Sequence, residues 1–140
     1  NAKIIIQKKE WEAGHVSELI EANLFNPEDY NHGHQVQQVD GEYDLFGDGT
    51  VVTVPTHGHT PGHQSLRVKL ASGDIILAAD ACYFRKTLED LHLPNIVYDK
   101  EQMMESLKLL RRLQTAGARI FYGHDPEFWQ DVPQAPLELI

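Results

Sequence analysis

Hydrophobic residues fall in short blocks along the chain. Ile4-Ile5-Ile6, followed by Gln7, is a β-branched run and predicts a buried strand. Between Glu10 and Ile20, Trp11, Val16, Leu19 and Ile20 can share one helical face, and Asn26-Pro27 ends that region. Residues 26–35 are polar and predict a loop, and Val36–Val39 a strand. Gly47-Asp48-Gly49 marks a turn before the strand Val51–Val54. Further on, Leu66, Val68 and Leu70 alternate with Ser65, Arg67 and Lys69, the period-two pattern of a half-exposed strand. Ser72-Gly73-Asp74 turns the chain. Ile75–Ala79 is apolar throughout, which predicts a strand covered on both faces.

The clearest helical period runs over residues 100–116, with Met103, Met104, Leu107, Leu110 and Leu113 at three- and four-residue spacings. Asp99 is its expected cap, Gln102 the capping-box partner, and Gly117 the stop. Ala118–Tyr122 predicts another short buried strand. The tail, with Pro126, Pro133 and Pro136, reads as irregular. Strands interleaved with helices predict a layered α/β fold. At 140 residues the chain is one domain, with no repeat, low-complexity tract or linker.

Composition narrows the partners. Hydrophobic residues make up 41% and charged residues 24%, ordinary for globular protein. Twelve basic residues stand against 21 acidic ones, a formal charge of −9. The basic runs are only Lys8-Lys9 and Arg111-Arg112, which argues against nucleic acid and an anionic membrane surface as partners. The one cysteine, Cys82, excludes an internal disulfide framework and a cysteine-built zinc site. No apolar run approaches the ~20 residues that span a bilayer. The chain opens Asn1-Ala2-Lys3-Ile4, with neither initiator methionine nor signal-peptide pattern, and reads as a mature product or fragment of a cytoplasmic protein.

Three ligand-type residues each follow a predicted strand: His59 after 51–54, Asp80 after 75–79 and His124 after 118–122. In layered α/β proteins strand ends deliver side chains into a crevice, and imidazole with carboxylate suits zinc and similar divalent ions. Taken singly, each has a plainer reading: a loop histidine is usually exposed or hydrogen-bonded, and an aspartate after a strand usually caps a turn or helix. His15, His32, His34 and His92 are read in that plainer way, and Cys82 as a small buried residue. In Gly58-His59-Thr60-Pro61-Gly62-His63, two glycines permit sharp turns and a proline stiffens them, so the loop presents His59 at low entropic cost.

Gly58-His59-Thr60-Pro61-Gly62-His63 resembles the Gly-His-Thr-x-Gly-His segment of the metallo-β-lactamase superfamily. Asp80-Ala81-Cys82-Tyr83 resembles the Asp-x-x-Tyr of its N-acyl homoserine lactonase branch, and Gly123-His124-Asp125 resembles that branch's last ligand motif. The resemblance implies the C-terminal part of an αββα sandwich. It implies that His59 binds a first divalent metal, that Asp80 bridges it to a second, and that His124 binds the second, zinc being the expected ion. His63 would support the loop by hydrogen bonds, and Tyr83 would aim its phenol at the substrate carbonyl. The implied activity is metal-dependent opening of an N-acyl homoserine lactone ring, with Tyr83 and Asp80 as the catalytic residues, in a protein that could form a homodimer.

The superfamily's first ligand motif, His-x-His-x-Asp-His, does not occur here; His32-Gly33-His34 is followed by Gln35-Val36-Gln37. In the family that motif lies just before a segment like Ala2–Glu12. The expectation is that residues 1–140 form the C-terminal part of a single domain whose N-terminal part is not in this chain, and that residue 1 lies close to the metal site. The alternatives are a thioesterase or glyoxalase II-like ester hydrolase on the same fold, and a non-catalytic metal-binding fragment. Tyr83 argues against the glyoxalase branch.

Overall fold

A computed structural model gives the protein's structure and describes residues 2–134. Asn1 and residues 135–140, and with them the expectation for residue 1 and the far end of the tail, lie outside the described residues.

β1 (Lys3–Gln7) pairs in parallel with β2 (Gln35–Val39), placing Ile4 beside Val36 and Ile6 beside Gln38. The connection carries α1 (Lys8–Ala13), α2 (Ser17–Ala22) and α3 (Pro27–Tyr30). The single helix expected over 10–20 is therefore broken at Gly14. The Tyr30 hydroxyl donates to the Gly14 carbonyl, and a Cβ at Gly14 would stand 3.1 Å from that oxygen. A contact from 16 residues away outweighs the helical period, and Val16 becomes an exposed, extended residue at the start of α2. The loop expected over 26–35 holds the turn of α3, because Asn26 accepts the Glu28 N–H and Pro27 fits the first helical position.

The second sheet orders β3 (Tyr43–Asp44), β4 (Val51–Pro55), β5 (Gln64–Leu70), β6 (Gly73–Ala79) and β7 (Arg119–Tyr122) side by side. The first three pairings are antiparallel and β6–β7 is parallel. A parallel neighbour needs a crossover, here α4 (Arg85–Asp90) and α5 (Lys100–Thr115). Neither β3 nor α4 is legible in the sequence: β3 has two residues, and α4 buries only Leu88.

α5 buries Met103, Leu107 and Leu110, and the last two pack with Ile76, Ala78, Ile120 and Tyr122 into the core. The Asp99 carboxylate caps it, accepting the N–H groups of Glu101 at 2.9 Å and Gln102 at 3.0 Å. The Gln102 side chain donates to that carboxylate at 2.6 Å instead of reaching the cap's backbone N–H, which already donates to the Gly58 carbonyl. Gly117, at φ +106°, ends the helix as expected.

Two expectations are corrected. Ile75, Ile76 and Ala78 are buried, but Leu77, facing Leu66 across the strands, is 37% exposed and Ala79 is exposed, so β6 is not covered on both faces. The tail is not irregular throughout: α6 (Pro126–Asp131) begins at Asp125, whose carboxylate accepts the Phe128 N–H at 3.0 Å. Asp-Pro is a cap followed by a first helical residue as readily as it is a breaker.

Candidate metal centre

The loop between β4 and β5 carries His59 and is fixed on several sides. Gly58 has φ +122°, and a Cβ there would meet the Met103 backbone nitrogen at 2.2 Å, so only glycine lets the loop lie against the start of α5. The loop's carbonyls are taken up in turn: Ser106 donates to His57, the Asp99 N–H to Gly58 and the Tyr98 N–H to His59. From the opposite side Glu10 of α1 accepts the Thr60 hydroxyl and the Gly62 N–H, each at 2.6 Å. His63 does support the loop: its Nδ1 lies 2.9 Å from the Thr56 hydroxyl, which in turn is 2.9 Å from Ser65. Burial, and secondarily the neighbouring His59, push the His63 pKa down to about 4, so it is neutral near pH 7.

Asp80 leaves β6 through a distortion. The β6–β7 register slips between Leu77 and Ala79, giving β6 one extra residue, and Ala79 takes φ +47°. Such strain in a residue with a side chain commonly marks a site, and here it turns Asp80 out of the strand. Gly123 matches it just after β7, since a Cβ there would stand 2.5 Å from the Ala79 carbonyl oxygen. The N–H groups of Gly123 and His124 donate to the carbonyls of Cys82 and Tyr83, both at 3.0 Å. The segment after β6 and the segment after β7 are thus stitched together.

His59, Asp80 and His124 consequently meet. Asp80 Oδ1 lies 2.8 Å from His124 Nε2, and Asp80 Oδ2 lies 3.4 Å from His59 Nε2. Each histidine faces a different oxygen of one carboxylate. Tyr83 stands between them, its ring centroid 4.6 Å from that of His124 and 5.8 Å from that of His59. Burial, aided by the Asp80 charge, raises the Tyr83 pKa and keeps the phenol protonated. Imidazole nitrogens and a two-oxygen carboxylate are a donor set that fits zinc. The set is incomplete: among the described residues no three His, Cys, Asp or Glu side chains are arranged to hold one ion.

Asp125 was quoted in the last motif without a role of its own, and the structure supplies one. Buried, it caps α6 and also accepts the Arg85 N–H at 2.8 Å, and these hydrogen bonds hold its pKa below the usual carboxylate value. It ties the residue after His124 to the start of α4. His15, His32 and His34 stand outside the cluster: all are exposed, and His32 and His34 lie against each other, while His92, also exposed, lines a small cavity beside Asp80 and Tyr83. Cys82 is fully buried, with its thiol pKa pushed up to about 12 by burial. A cavity of about 110 Å³ opens beside Asp80 and Tyr83, walled by Phe84, Thr87, His92, Pro94 and Met103. A larger hollow of about 830 Å³ between α4 and α6 has charged walls and contains none of the four central residues.

The sequence profile of the metallo-β-lactamase superfamily matches residues 4–124. The chain belongs to this superfamily. Within it the chain is 34% identical, over 97% of its length, to the N-acyl homoserine lactonase AttM of Azorhizobium caulinodans. It is 32% identical, over 91% of its length, to the N-acyl homoserine lactonase AiiA of Bacillus thuringiensis subsp. kurstaki. Those alignments cover 54% and 48% of the two relatives, so this metallo-β-lactamase chain spans about half the length of the curated relatives it matches. An N-acyl homoserine lactone hydrolase, solved with the product N-hexanoyl-L-homoserine at its catalytic metal centre, superposes with a TM-score of 0.84 at 30% identity. That superposition takes in 98% of this chain and 52% of the hydrolase. The α/β architecture is thus that of metallo-β-lactamase-fold lactonases. Among the described residues no helix is long and apolar enough to cross a membrane.

Proposed function

We propose that this chain is the C-terminal part of a metal-dependent N-acyl homoserine lactonase. The observation that carries the reading is the way His59 and His124 face separate oxygens of Asp80 beside the Tyr83 ring. A carboxylate so placed would help hold two ions, with His59 a ligand of one and His124 a ligand of the other. The remaining ligands would come from a segment bearing the His-x-His-x-Asp-His that these 140 residues lack. Two divalent ions, zinc by the donor chemistry, would supply a water acidified toward neutrality and polarisation of the substrate carbonyl. Tyr83, kept protonated, donates its hydroxyl to the carbonyl oxygen as negative charge grows there. Asp80, with one oxygen toward each histidine, would carry a proton from the attacking water to the leaving alkoxide of the opened ring. The 110 Å³ cavity, lined by Phe84, Pro94 and Met103, offers an apolar wall beside that chemistry.

The test is hydrolysis of acyl homoserine lactones by the complete protein containing this segment, before and after chelation, with acyl thioesters in parallel. Ring opening that is lost with the metal and restored by zinc is expected. Thioester turnover without lactone turnover would replace the reading with a thioesterase one. Residues 1–140 expressed alone should neither take up two ions nor open the ring.

A further inference from the structure

We infer that Glu10, on the first helix and outside the ligand set, sets the orientation of His59 and through it the affinity of the centre for an ion; this rests on the reading of His59 as a ligand. A metal-binding histidine is ordinarily aimed by a hydrogen bond from its second ring nitrogen to a carboxylate or carbonyl. His59 lacks that device among the described residues: its Nδ1 is buried without a hydrogen-bond partner. With no hydrogen bond on Nδ1, the aim of the ring depends on the backbone that carries it and on the Tyr83 and His63 rings beside it.

That backbone is gripped by Glu10. One carboxylate oxygen accepts the Thr60 hydroxyl and the other the Gly62 N–H, both at 2.6 Å, so a single side chain brackets the turn just after His59 from 50 residues away. The approach is close in the main chain as well. A Cβ on Gly62 would meet the Glu10 nitrogen at 2.3 Å and the Glu10 Cβ at 2.8 Å, so the loop is pressed against α1 and does not merely touch its side chain. On the other side Gly58 is pressed equally hard against Met103. His59 thus sits in a loop clamped between α1 and α5. The α5 side of the clamp combines main-chain groups with the Ser106 hydroxyl on the His57 carbonyl, whereas the α1 side depends on one replaceable carboxylate.

The experiment titrates the metal-free complete protein with zinc in competition with a chromophoric chelator, for Glu10→Gln, Glu10→Ala, Glu12→Gln and His59→Ala, with cobalt absorption spectra in parallel. Glu12 lies on the same helix, exposed and paired with Lys8. Zinc affinity is expected to fall roughly ten-fold in Glu10→Gln, which keeps one acceptor, and up to about a hundred-fold in Glu10→Ala, the range for lost supporting groups. Glu12→Gln should match the parent. The cobalt bands should shift in both Glu10 variants, a change that loss of folding stability alone does not produce. Parent-like affinity and spectra in Glu10→Gln and Glu10→Ala, with His59→Ala impaired, would show that the clamp does not aim the ligand. Parent-like affinity in His59→Ala would instead remove His59 from the ligand set, and the role of Glu10 with it. Glu10→Gln, which preserves size and one hydrogen bond, decides the matter if Glu10→Ala does not fold.

Discussion

The N–H of His124 donates to the carbonyl of Tyr83 at 3.0 Å, and the two rings meet edge to face with centroids 4.6 Å apart. The phenol and the imidazole are therefore held in register by main-chain geometry, and neither shifts without the other.

Because that register belongs to the backbone, Tyr83→Phe should leave both the ring and His124 in place. In the complete protein, lactone turnover is expected to fall by roughly ten- to a thousand-fold, the range for one lost donor to a developing oxyanion. Metal content by elemental analysis should stay constant. Unchanged turnover would leave the phenol a packing role only.

Asp80→Ala removes the oxygen that faces each histidine. Both ions should be lost together, since neither His59 nor His124 keeps its shared partner. Retention of one full equivalent would show that the carboxylate belongs to a single ion.

Ala79 holds a left-handed conformation that costs a residue with a side chain about 1–2 kcal/mol. Ala79→Gly should raise the unfolding free energy by about 0.5–1 kcal/mol after the greater freedom of unfolded glycine is counted. Ala79→Val should lower it by about 2 kcal/mol. Urea midpoints of the three proteins give the comparison, and equal midpoints would mean the turn relaxes in solution.

His63 couples the loop to pH. Its folded pKa of about 4 lies below the ordinary value of 6.5, so between those values the unfolded chain binds a proton that the folded chain rejects. Stability is then highest above pH 6.5 and falls as the pH drops toward 4, by about 2–3 kcal/mol if this group acts alone. Metal-free His63→Gln should show a shallower acid slope in denaturant titrations between pH 7 and pH 4. An identical slope in the variant would assign the acid sensitivity to other groups.

The sequence was informative where a signal is local. The blocks at 51–54, 75–79 and 118–122 and the period over 100–116 located the sheet and main helix, because alternation and three-to-four spacing report the face a residue buries. His59, Asp80 and His124 were legible because each follows such a block, and the structure brings them together. What was lost depended on distance along the chain or on a signal with two meanings. Gly14 breaks a helix because Tyr30 reaches it. Glu10 acts on a turn 50 residues away. Asn26-Pro27 was read as the end of a helix and Pro126 as part of an irregular tail, and each proline proved to open a helix.

The parallel pairing of β6 with β7 separates chemistry from recognition. Parallel neighbours discharge their chains at the same edge, so Asp80 and His124 are neighbours whatever the crossover between them contains. Most of the small cavity's wall, including Phe84, His92 and Pro94, belongs to that crossover. The stretch from 92 to 97 lies between the end of α4 and the Tyr98 and Asp99 N–H groups that hold the His59 loop. Apart from Leu93, which packs on the core, its length and side chains can be rewritten without moving His59, Asp80 or His124, so under the proposed function a lineage is free to change what it accepts while keeping how it reacts.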